Sequence, residues 1–75
     1  MTDSGFTVVL FHTSNHAFRA EMLLKRAEIP CKLVPVPRHL SSDCGVCARV
    51  ATEVSGQVAS VLEASKVPIA GIHIL

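Results

Sequence analysis

Four prolines divide this chain, and their positions restrict its fold more than any other feature. Proline has a fixed φ and no N–H to donate, so a helix must stop before Pro30, and Pro68 lies beyond the end of another. A strand that contains Pro35 can only lie at a sheet edge. Pro37 opens a segment rich in turn formers, Pro37 to Gly45, which reads as a loop.

The stretches between these marks have clear periodicities. Phe6 to His12 is rich in β-branched and aromatic residues and reads as a strand. Its near-continuous apolarity fits a central position covered on both faces. Thr13, Ser14 and Asn15 are all competent N-caps for a helix from about Asn15 to Ala27. Ala17, Ala20, Leu24 and Ala27, with Leu23 beside them, form one apolar stripe, and Phe18 and Met22 a second on its flank. Cys31 to Val36 reads as the edge strand and Val46 to Val50 as a third strand. Thr52 or Ala51 opens a second helix to about Ser65. Thr52 is its expected N-cap, and Glu53 in the first turn suits the helix dipole. Val54, Val58, Val61, Leu62 and Ser65 mark its inner face. Gly71 to Leu75 is a last strand.

The order is β-α-β-β-α-β over a single domain, residues 1–75. Two right-handed split units of this kind give an α+β ferredoxin-like sandwich, with a four-stranded antiparallel sheet and two helices on one face. The other face is expected to be bare and to carry Val9, Phe11 and Val34, or their register mates. Hydrophobic residues make up 49% of the chain and charged ones 17%, so apolar surface should be left over after folding. A homodimer through the open sheet face is the expected way to cover it.

Composition also excludes function classes. The net charge is +1, Trp and Tyr are absent, and no basic run exists, which argues against a nucleic-acid partner. No apolar stretch is long enough to span a bilayer. Met1 to Gly5 lacks the pattern of a secretory signal, and three cysteines cannot form a complete disulfide framework. A cytoplasmic setting with reduced thiols is expected.

The chemistry-bearing stretch is Ser41-Ser42-Asp43-Cys44-Gly45-Val46-Cys47. In the ferredoxin-like topology the first strand-to-helix connection and the loop before the third strand lie at the same end of the sheet. His12, Ser14 and His16 belong to the first; Arg38, His39, Asp43, Cys44 and Gly45 belong to the second. The amino end of the first helix should then face Cys44. Its partial positive charge, with Arg38 or a protonated His, would lower the Cys44 pKa below the usual value of about 8.5. Asp43 opposes that effect. Gly45 permits a sharp turn that leaves the sulfur approachable.

Each supporting residue also has a plainer role. His12 ends a strand, His16 sits in a first helical turn, and His39 and Arg38 are solvated loop residues. Cys47 either resolves an oxidised or persulfidated Cys44 or packs on its strand. Cys31 falls at the opposite end and reads as a half-buried hydrophobe. No resident cofactor is expected. Zinc or copper(I) held by Cys44 and Cys47 with His39, His12 or His16 is the metal-bound alternative. His73 points to the other end and is left out.

Three parts of the sequence resemble one known family. They are Phe11-His12-Thr13-Ser14 with His16-Ala17 and Arg19-Ala20-Glu21, then Ile29-Pro30 with Lys32 to Arg38, and above all Ser41-Ser42-Asp43-Cys44-Gly45. Together they are similar to the Se/S carrier protein-like domains. The resemblance implies that Cys44 carries sulfur or selenium as a persulfide or selenosulfide, with a donor or acceptor protein as partner. Cys47, Cys31 and Ala51-Thr52-Glu53 depart from the family pattern, which keeps a dithiol variant open. A carrier needs one reactive thiol and no deep cleft, so a carrier or binding protein is expected in preference to a stand-alone enzyme. The alternatives are a non-enzymatic ferredoxin-like regulatory or interaction module and a Cys-x-x-Cys metal-binding or redox domain.

Overall fold

Proline and helix-capping chemistry set the element boundaries in the computed structural model, which describes residues 5–37, 40 and 45–75. The elements are β1 (Phe6–Leu10), α1 (Ser14–Arg26), β2 (Lys32–Pro35), β3 (Val46–Ala51), a 3-10 turn (Thr52–Val54), α2 (Ser55–Ala64) and β4 (Gly71–Ile74). The four strands are ordered β2-β3-β1-β4, and every neighbouring pair is antiparallel. This is the ferredoxin-like α+β arrangement. Pro35 lies in the edge strand β2, opposite Val46, where its missing N–H costs no ladder bond.

Both helices pack on the same side of the sheet. Ala17, Ala20 and Leu24 of α1 and Val58 and Leu62 of α2 share one buried cluster with Val9, Phe11, Ala48 and Val50. Val9 and Phe11 therefore lie under the helices and not on the open face. Strand alternation puts their neighbours Val8 and Leu10 on that face instead. Val34 is there, as expected, in a second cluster with Val8, Leu10 and Cys47. Nor is that face bare throughout. Val36 and Leu40, from the chain itself, pack against this second cluster, and Val8 and Leu10 are 0% and 3% exposed without any second copy.

The two helices end in the same way. Glu28 and Lys66 take left-handed φ values of 61° and 59°. The amide that follows each reaches back to a leucine carbonyl, Ile29 to Leu24 and Val67 to Leu62, both at 2.9 Å. The Glu28 and Lys66 amides close the inner bonds to Lys25 and Glu63, each at 3.0 Å. These are paired Schellman motifs, with Ile29 and Val67 folded into the core as their apolar anchors. Pro30 and Pro68 then prevent any further winding.

The second helix begins differently from the expectation. Thr52 does not cap it: the chain first makes the 3-10 turn, and the Thr52 hydroxyl pairs with that of buried Thr7 at 2.9 Å. A buried hydroxyl is costly unless bonded, so Thr7 claims the group that would otherwise have capped the helix. Ser55 Oγ donates to the Thr52 carbonyl at 2.8 Å and so closes the turn.

Candidate functional site at the Gly45 end of the sheet

Strand register determines which connections meet. Leu10 of β1 stands opposite Cys47, and Pro35 of β2 opposite Val46. The carboxyl ends of β1 and β2 and the amino end of β3 therefore share one end of the sheet. The Val36 N–H extends the ladder by one step to the Gly45 carbonyl at 3.2 Å. Gly45, the residue after Cys44, is exposed and has φ +80°. A side chain is strained in that region, which is why glycine stands where the loop turns into β3. Arg38, His39, Asp43 and Cys44 lie outside the described residues, as do Ser41 and Ser42.

The first connection reaches the same end. β1 stops at Leu10, and after three intervening residues α1 begins at Ser14. Thr13 is the N-cap, with extended backbone, and its Oγ1 accepts from the His16 N–H at 3.3 Å. Of the three capping residues that the sequence offers there, the structure uses Thr13, while Ser14 is the first helical residue. His12 and Ser14 are exposed and His16 is half-buried. The His16 Nδ1 is buried with no hydrogen-bond partner among the described residues. An unpaired buried polar atom is uncommon, and this one sits in the first turn of the helix at the Gly45 end.

The thiols occupy distinct environments. Cys47 is fully buried on β3, among Val8, Leu10, Val36 and Leu40. Its Sγ makes a long contact of 4.0 Å to the Pro35 carbonyl. That burial suits a packing role. Cys31 lies just before β2, which starts opposite Arg49, at the far end of the sheet from Gly45. It is half-buried against the main core. Burial pushes its thiol up from the ordinary range; Glu21 adds to this, and Lys25 opposes it. The shift leaves less of its reactive thiolate at neutral pH than an ordinary thiol has.

Among the described residues, no group of three or more His, Cys, Asp or Glu side chains is placed to hold a metal ion. The expected metal set includes Cys44 and His39, outside those residues. No described helix is long and apolar enough to cross a membrane. Sequence reasoning missed the role of Val36 and Leu40, which tie the chain before Cys44 onto the open face. Their spacing around Pro37 carries neither a strand nor a helix period, so no pattern in the sequence pointed to it.

A model of the family described as "Putative Se/S carrier protein-like" matches residues 6–74 of this chain. No curated protein matches it, and no solved structure does.

Proposed function

The chain belongs to this family, and from that premise we propose that it carries sulfur or selenium on Cys44, between a donor and an acceptor protein. The family match carries the reading. The register that brings Gly45 and the Thr13 cap of α1 to one end of the sheet supports it. So does the raised pKa of Cys31, which leaves a thiol elsewhere as the better nucleophile.

Loading is an exchange without net redox change. The Cys44 thiolate attacks the terminal sulfur of a donor persulfide. A new S–S bond forms on Cys44, the donor's S–S bond breaks, and the donor leaves as a thiolate. The terminal sulfur keeps its proton. Delivery runs in reverse, with an acceptor nucleophile taking that sulfur and Cys44 leaving. A donor with a terminal selenium would give the selenosulfide by the same bond changes. The partial positive charge of a helix amino end favours a thiolate brought close to it, before attack and after release. The reading places the chain in a reducing cytoplasm, where the thiol is available for loading.

Self-association is part of this reading. Ile72, Ile74 and Leu75 are 44%, 73% and 53% exposed on or beside the edge strand β4, a surface suited to a second chain. Sedimentation that returns only monomer at working concentration removes that part.

The carrier reading is tested by incubation with a cysteine desulfurase and cysteine, followed by intact-mass measurement. The expected result is a gain of about 32 Da per bound sulfur, retained in Cys31→Ser and lost in Cys44→Ser. A wild-type chain that gains nothing from the desulfurase or from a small-molecule persulfide overturns it.

A further inference from the structure

A notch opens at the end of the sheet away from Gly45. β2 starts at Lys32, opposite Arg49, while β3 runs on through Val50 and Ala51 with no β2 partner. Pro30 has no N–H for that ladder. The space has a volume of about 370 Å³, and Phe6, Pro30 and Val54 contribute to its apolar lining.

Three features give it a preference for anions. Lys32 and Arg49 stand directly opposite each other on the sheet face that the helices leave open. Like charges in that position repel, and neither makes an ion pair with a carboxylate among the described residues. The Arg49 guanidinium lies 4.6 Å from the centroid of the Phe6 ring. A guanidinium held over a ring face by this attraction keeps N–H groups to offer an oxyanion, which it can take by two hydrogen bonds. The Thr52 N–H donates to the Gly5 carbonyl at 3.1 Å, toward β1. Strand alternation turns the Ala51 N–H the other way, into the notch. Glu53 also lines the space and opposes an anion from its exposed rim.

We propose that this notch binds a small organic anion, whose carboxylate or phosphate group lies between Lys32, Arg49 and the Ala51 amide. A flat apolar body rests on Phe6, Pro30 and Val54. The volume is at the small end of ligand sites, which run from roughly 300 to 1,000 Å³, so the ligand is a single small molecule. The site is independent of Cys44, and sulfur loading can succeed or fail without affecting it.

The test is an amide NMR titration of the full chain with benzoate, phenyl phosphate and the uncharged isostere benzamide. At least one anion should give saturable shifts at Lys32, Arg49 and Ala51, about tenfold tighter than benzamide. The better of the two identifies the headgroup. Arg49→Gln should weaken that anion by about tenfold or more, exposed Lys32→Gln should weaken it by severalfold, and Glu53→Gln should tighten it. If Arg49→Gln loses its folded spectrum, Lys32→Gln and Glu53→Gln still decide. No saturable shift with either anion, equal shifts with benzamide, or affinity unchanged in these variants overturns the proposal.

Discussion

Gly45 isolates the cost of one backbone angle. It sits at φ +80°, and a Cβ built there meets nothing within 4 Å. Gly45→Ala is therefore expected to lose stability through backbone conformation, by roughly 0.5–1 kcal/mol in urea denaturation after the reduced freedom of the unfolded chain is counted. If the chain carries sulfur on Cys44 as proposed, the same variant, at the adjoining position, should also slow sulfur loading. Cys31 carries a second consequence at this scale. Burial, then Glu21, raises its folded pKa, so the folded state keeps this proton to higher pH than the unfolded chain does. Its contribution to stability is complete below the ordinary thiol range and lost as pH rises through the raised folded value. Urea midpoints should fall across that alkaline window, and Cys31→Val should remove this share of the fall. An identical slope in the variant would contradict the assignment.

At the level of elements, the two helix ends are the features most open to improvement. Glu28 and Lys66 both adopt the left-handed conformation that glycine takes without strain. Glu28→Gly and Lys66→Gly should each stabilise the chain, by roughly 0.5–1 kcal/mol after the added freedom of the unfolded state is counted. Thermal unfolding reads the gain. The pattern was partly legible in the sequence, since Pro30 and Pro68 placed both ends. The left-handed residue was not, because Glu and Lys carry no local preference for it; Ile29 and Val67 hold it there by burying against the core. The start of α2 shows the reverse case. Thr52 has the right chemistry for a cap, but buried Thr7 competes for its hydroxyl, and that contact spans 45 positions.

For the whole molecule, a chain of 75 residues has little interior to spare. Leu62 is fully buried, joins α2 to the sheet, and supplies the carbonyl that Val67 caps. Leu62→Ala should cost about 2–5 kcal/mol, a large part of the total stability of a domain this size. Phe18→Ala on α1, where the ring is 56% exposed, should cost far less. Comparable losses in the two variants would mean that Phe18 is buried in solution, most simply by another chain. The open face also changes meaning at this scale. Its apolar half is closed by Val36 and Leu40, and its other half carries Lys32 and Arg49, so it offers less apolar area to a second copy than alternation alone suggests.

The element order and the edge position of β2 follow from the sequence by itself, because they depend on local chemistry: apolar period, capping hydroxyls, and prolines without an N–H. The placing of Gly45 at the same end of the sheet as the start of α1 follows almost as directly, since few topologies join those elements in that order. Other features depend on contacts between residues far apart in the chain. These include which side of β1 the helices cover, the pairing of Thr7 with Thr52, the burial of Cys47 beneath Leu40, and the meeting of Lys32 with Arg49. Each is set by strand register, and a one-residue slip would send every side chain to the opposite face. Only the packed structure decides them, because only there does the burial of one face outweigh the other.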